Sequence, residues 1–212
     1  LAAEYEAIGI TLDPAGERVT RLEEYVKAAK MMFAPGQMDF NGKYVHLNEF
    51  EAVPKPVQKG GVPIMIGGGS KRVLGIAGRE ANIISLNFDN SSGMIGPKGV
   101  QSSTAEMTSQ KIQWIKDGAA SIGRSMDDIE LEIGAYFTMV VPDVEQGAGA
   151  LAKMFGLTAE DMKVHPHALI GDVDRICDTL VARREEYGIS YITVGESNID
   201  AFAPVVARLS GK

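Results

Sequence analysis

Short apolar runs alternate with amphipathic segments along most of this chain, and that alternation leaves few folds open. Val62-Pro63-Ile64-Met65-Ile66 stops at Gly67-Gly68-Gly69-Ser70, and Asn82-Ile83-Ile84-Ser85-Leu86-Asn87-Phe88 follows a ten-residue helical pattern. Runs that are apolar on both faces suit strands buried in a parallel sheet. Further strands are expected over residues 129–141 and 190–194. Helices are expected over 18–33, 71–80, 103–121, 144–155, 159–163, 173–187 and 199–209, where apolar residues recur at helical spacing. Strands separated by helices predict parallel βα units. Asn41-Gly42 between alternating residues predicts a hairpin ahead of them.

Four such strands fit either a small open α/β sheet or part of an eight-stranded barrel, which needs about 250 residues when complete. The chain has 212. We read it as one domain over residues 1–212, built as the C-terminal half of a TIM (β/α)8 barrel with about four parallel strands.

Charge narrows the choice of partner. Twenty-eight acidic and 21 basic side chains give a net charge of −7, and no stretch concentrates Lys and Arg. A nucleic-acid partner is therefore not expected. No apolar run approaches the ~18 residues that would span a bilayer, so no membrane partner is expected either. With one cysteine, Cys177, no internal disulfide can form, which suits a reducing, cytoplasmic setting. The helical pattern around Cys177 reads it as a small buried hydrophobe. Metal binding is not expected, because His165-Pro166-His167 lacks a third ligand and reads as a loop leading into a helix. No Ser/His/Asp order or nucleophile elbow is present, and no catalytic residue is assigned.

The segment richest in chemistry is the triglycine turn. A strand that ends in Gly67-Gly68-Gly69 and opens through Ser70 onto a helix brings bare backbone close to whatever lies above it. The helix terminus adds unpaired N–H groups and partial positive charge. A phosphate site and a tight turn capped by Ser70 are both compatible with these residues. The spacing is neither G-x-G-x-x-G nor a Walker motif. Asn87 and Asp89 fall at the end of the next strand, where they read as substrate-pocket residues or as an Asx turn. The stretch Ser91-Ser92-Gly93-Met94-Ile95-Gly96-Pro97 reads as a lid or as a plain connection.

In order along the chain, four segments resemble the luciferase-like monooxygenase family, in its coenzyme F420-dependent branch. They are residues 4–10 with 18–24, residues 54–58 running into Pro63–Gly69, residues 76–84, and residues 166–172 followed by 187–191. Asn82 stands where that family usually has Asp. The resemblance implies a TIM barrel that holds a deazaflavin or flavin at its C-terminal face, with Gly67, Gly68, Gly69 and Ser70 on the cofactor phosphate. It implies an oxidoreductase transferring hydride between coenzyme F420 and a small organic molecule; an FMN-dependent monooxygenase is the alternative. Relative to the family, the chain begins just past the fourth barrel strand. An open half-barrel would expose strand edges and apolar surface. The chain is therefore expected to form a homodimer, to pair with an N-terminal half, or to persist as a non-catalytic remnant of a half-barrel.

Overall fold

The computed structural model describes residues 2–89 and 96–211. The chain divides into two compact units at the Ile64/Met65 boundary.

The first unit holds helices α1 (Ala2–Ala7) and α2 (Ala15–Phe33) and strands β1 (Met38–Asn41) and β2 (His46–Phe50). The strands pair antiparallel with Asn41 opposite His46, so the expected hairpin forms around a four-residue loop, not a two-residue one. The loop is longer because a side chain holds it. The Glu24 carboxylate accepts the backbone N–H groups of Lys43, Tyr44 and Val45 at 2.8, 2.7 and 3.0 Å. Asn-Gly opens the loop and does not form its centre.

The second unit is α/β. Its strands β3 (Met65–Gly68), β4 (Ile83–Leu86), β5 (Glu130–Ala135) and β8 (Ile189–Val194) form one parallel sheet in the order β3-β4-β5-β8. Between β5 and β8 the chain builds β6 (Phe137–Val140) and β7 (Ala168–Gly171), a separate parallel pair. The helices are α3 (Lys71–Glu80), α4 (Pro97–Gln101), α5 (Ala105–Ala120), α6 (Val144–Phe155), α7 (Ala159–Val164), α8 (Val173–Tyr187) and α9 (Ile199–Leu209).

The four-stranded sheet has two unlike faces because side chains alternate along each strand. Ile66, Ile84, Leu86 and Ile133 are 5%, 0%, 1% and 0% exposed and make the apolar face. Pairing in register puts Gly67, Ser85, Glu132 and Tyr191 in one row across the other face. Two further apolar clusters gather around Phe88, Phe137 and Met162, and around Leu169, Ile176 and Phe202. Cys177 is a free thiol buried in the second of these, as its helical pattern predicts.

Two expectations are corrected. The strand expected over residues 129–141 breaks at Tyr136, and its halves join different sheets. Residues 168–171, read as the approach to a helix, form a strand buried at every position. Of the stretch read as a lid, residues 91–95 lie outside the described residues, and Pro97 begins α4.

Candidate functional site

The triglycine turn lies at the carboxyl end of β3, where parallel α/β sheets hold their ligands. Gly68 ends the strand, Gly69 bends, and Ser70 starts α3 with extended backbone angles (φ −98°, ψ 150°). Each glycine also has a packing reason. A Cβ on Gly69 would lie 2.3 Å from the Phe88 carbonyl oxygen; one on Gly68 would lie 2.5 Å from Val73 Cγ1. The close approach of the β3 and β4 ends, tied by the Asn87 N–H donating to the Gly68 carbonyl at 3.0 Å, excludes a side chain at Gly69.

The amino end of α3 has no side-chain cap from its N-cap residue. Thr104, Asp143, Thr158 and Asp172 close α5, α6, α7 and α8, each accepting a backbone N–H from the first turn. Ser70 makes no such bond, and the first turn of α3 has no acidic residue. Its amides therefore keep their partial positive charge, beside the exposed Lys71 and Arg72. This donor set fits a phosphate.

Asn87 extends β4 directly beside this turn. Its Nδ2 would lie 2.9 Å from a Cβ on Gly67 and donates to Ser85 Oγ at 3.3 Å. Its Oδ1 accepts from the Tyr136 hydroxyl at 2.7 Å, and its carbonyl accepts from Lys111 Nζ at 2.7 Å. Lys111 is 2% exposed and also donates to Ser103 Oγ at 2.5 Å. Burial lowers its pKa to about 8, against the opposing pull of Asp89. Asp89 is exposed, and its backbone N–H donates to Ser102 Oγ at 2.8 Å. Asn87 thus joins the turn, while Asp89 borders it.

A buried ring cluster backs the site. Phe88 packs 4.3 Å from the His167 ring and 5.4 Å from Tyr136 between centroids. His165 accepts the His167 N–H at Nδ1, so its Nε2 carries the proton and donates to the Val100 carbonyl at 3.0 Å. Burial keeps both rings neutral, pushing His165 down and His167 to about 3. Beneath them the Arg183 guanidinium, 6% exposed, donates to the carbonyls of His165, Pro166 and Ala168. The His165-Pro166-His167 segment is therefore a buried, rigid support.

Sequence reasoning missed Tyr136, His167, Lys111 and the buried Glu132. One signal was available: Ser85 and Glu132 interrupt otherwise apolar strands at positions that share a face. A cavity of about 680 Å³ lies elsewhere, under α8 and α9 and the Ile189 and Ser190 end of β8. Its lining is mostly apolar and holds no cluster of reactive groups, so the site is placed by geometry and not by volume. Among the described residues, no group of three His, Cys, Asp or Glu side chains could hold a metal ion, and no helix is long and apolar enough to cross a membrane.

The family model for luciferase-like monooxygenases matches residues 2–179. The chain belongs to the luciferase-like monooxygenase family. Within that family it is 33% identical over 132 residues to an F420-dependent glucose-6-phosphate dehydrogenase of Mycobacterium leprae (strain Br4923), covering 61% of this chain and 34% of the relative. It is 26% identical over 148 residues to an FMNH2-dependent dimethylsulfone monooxygenase of Pseudomonas putida, covering 70% of this chain and 36% of the relative. The chain thus spans about a third of the length of these curated relatives. Solved structures of similar fold include an F420-dependent secondary alcohol dehydrogenase with an F420–acetone adduct (TM-score 0.65, 16% identity, 94% of this chain and 63% of that one). The EDTA monooxygenase of Chelativorans sp. BNC1 superposes with a TM-score of 0.69 at 14% identity, over 98% of this chain and 62% of that one. Luciferase-like relatives therefore include both F420- and FMN-dependent enzymes.

Proposed function

We propose that this luciferase-like chain serves an oxidoreductase that transfers hydride between coenzyme F420 and a small organic substrate. The observation that carries this reading is the uncapped amino end of α3, set directly after the triglycine turn at the carboxyl end of β3. In this reading the first-turn amides and the Ser70 hydroxyl bind the coenzyme phosphate, and Lys71 and Arg72 add positive charge. Gly67 and Asn87 form the floor beside it, and Asp89 borders the substrate side. The coenzyme, when bound, supplies the redox chemistry; the protein supplies position and electrostatics. That division agrees with a site whose described residues include no nucleophile–base pair.

The 33% identity to an F420-dependent relative favours the deazaflavin. FMN is the second reading, favoured by the larger share of this chain, 70%, that matches an FMNH2-dependent relative. Both coenzymes bring a phosphate to the same turn.

The same proposal extends to assembly. Four parallel strands, with β3 and β8 at the two ends of the sheet, make half of an eight-stranded barrel. Closure then comes from an N-terminal half or from a second copy of the chain.

The test is titration of the purified protein with F420 and with FMN, followed by absorbance. Saturable uptake of F420 in preference to FMN is the expected result, and the reverse preference selects the monooxygenase reading. Uptake of neither overturns both and leaves a non-catalytic half-barrel.

A further inference from the structure

We infer that Tyr136 is a stacking platform for a planar conjugated ring, carried by the ligand whose phosphate sits on the triglycine turn. The inference rests on the phosphate reading above for the ligand's other end, and on separate observations for the ring.

Tyr136 stands at the break between β5 and β6, and its ring folds back along its own strand. A Cβ on Gly134 would lie 2.7 Å from the Tyr136 Cζ and 2.9 Å from Cε1, so the ring covers Gly134 and only glycine admits it there. Three contacts hold that pose. The hydroxyl donates to Asn87 Oδ1 at 2.7 Å, the ring stacks on His167 at 5.5 Å with 14° between planes, and Phe88 supports it at 5.4 Å. His167 and Phe88 are themselves 1% and 2% exposed.

An aromatic ring fixed this firmly usually disappears into a core. Tyr136 is nevertheless 48% exposed. The ring presents a flat surface that the described residues leave partly exposed, at the same end of the sheet as the amino end of α3. The spacing suits one extended ligand. β3 and β5 are separated by one intervening strand, which places the platform about 10 Å from the turn at ~4.8 Å per strand. That is the reach of a short chain joining a phosphate to a ring system. Asn87 bridges the two ends, touching Gly67 on one side and Tyr136 on the other.

Charge points to the class of ring. Glu132, 4% exposed, lies in the row beneath, and burial together with this carboxylate raises the Tyr136 pKa. The phenol therefore stays neutral and keeps an electron-rich face, which suits an electron-poor conjugated ring.

The experiment compares three probes on the same protein: coenzyme F420, FMN, and lumiflavin, which carries the flavin ring without a phosphate. Variants are Tyr136→Leu, Tyr136→Phe and Ser70→Asp, with circular dichroism confirming that each folds. Stacking on an electron-rich phenol quenches flavin fluorescence, so wild-type protein should quench bound lumiflavin. Tyr136→Leu should weaken lumiflavin by about 3–10-fold and release the fluorescence. Tyr136→Phe should retain most of the affinity but lose the quenching. Ser70→Asp should weaken the phosphate-bearing probes and leave lumiflavin unchanged. Equal binding and equal fluorescence in wild type and Tyr136→Leu overturn the platform; if Ser70→Asp still acts, the phosphate reading survives. Lumiflavin bound through Tyr136, with F420 and FMN unaffected by Ser70→Asp, keeps the platform and overturns the phosphate site. Failure of all three probes on wild-type protein overturns both.

Discussion

His167 Nδ1 donates to the Gly134 carbonyl oxygen at 2.8 Å, joining the segment before β7 to the end of β5 just where the Tyr136 ring lies over Gly134. The bond places a proton on Nδ1, and burial keeps the ring neutral against the pull of that bond. Burial holds the His167 pKa at about 3, against an ordinary value of 6.5. Between those two values the unfolded chain takes up a proton that the folded chain refuses. Stability is therefore complete above pH 6.5 and falls as the pH drops toward 3, by up to about 1.4 kcal/mol per unit in that window. Urea denaturation at pH 7, 6 and 5 should show a steeper loss for wild type than for His167→Gln. Parallel curves would contradict the assignment.

Ser70 offers a separation of stability from binding. Aspartate at this position can accept the first-turn amides of α3 and complement the helix dipole, so Ser70→Asp should raise stability by ~0.3–1 kcal/mol. The same carboxylate occupies the amides a phosphate needs and repels it. Coenzyme affinity should fall tenfold or more, on the order of 1.4 kcal/mol. A melting temperature that rises while coenzyme binding stays constant would remove the phosphate from this turn.

The glycines of the turn should not be equivalent. Gly69→Ala drives a methyl group against the Phe88 backbone oxygen, which cannot rotate away. It should cost about 1–3 kcal/mol. Gly67→Ala meets closely only the Asn87 side-chain amide, a movable end, with Ser85 at ordinary contact distance, and should cost less. Thermal melts of the two variants check the order; a Gly67 variant as damaged as the Gly69 variant would mean that Asn87 is rigidly locked.

Arg183 replaces three peptide partners at once. Its guanidinium meets the carbonyls of His165, Pro166 and Ala168 at 2.8–2.9 Å, and burial lowers its pKa to about 10. Arg183→Met removes the guanidinium from three buried carbonyls, of which that of His165 still accepts the Ala168 N–H at 2.9 Å, and should cost on the order of 2–4 kcal/mol. Arg183→Lys should recover little of that, since an ammonium cannot reproduce the planar fork. The denaturant midpoints of the two variants decide; full rescue by lysine would show that charge alone matters.

The elements legible in the sequence were those whose periodicity is their own. α2, α3, α5, α6, α8 and α9 follow apolar spacing within one segment, and β4 and β8 are apolar runs bounded by breakers. β3 was legible in place only, because the strand expected over residues 62–66 runs over Met65–Gly68 and takes in two of the glycines read as its stop. β7 was not legible. Ala168-Leu169-Ile170-Gly171 is four residues long, and Asp172 caps the helix that follows, so the helix signal absorbed the strand. Its strand character comes from pairing with β6, a partner distant in sequence. The break at Tyr136 was hidden for a related reason. Gly134 looks like a weak strand residue until the ring that lies over it is seen.

The same limit shaped the site. The triglycine turn announces itself through local chemistry, and Asn87 and Asp89 follow from their place at a strand end. Tyr136 reaches the site only by crossing to β4, and Lys111 only because α5 presents it to the Asn87 carbonyl. Such relationships depend on register and helix packing, which no single window of sequence contains.

Cys177 gives the fold a reporter of its own. The single thiol sits in α8 at 8% exposure, packed in the cluster with Leu169, Ile176, Leu180 and Phe202. A thiol-reactive dye should be excluded until that layer opens, so the labelling rate reads its breathing motion without any engineered tag. Because α8 also carries Arg183, the clock registers how tightly the support beneath Tyr136 is held before and after a ligand arrives.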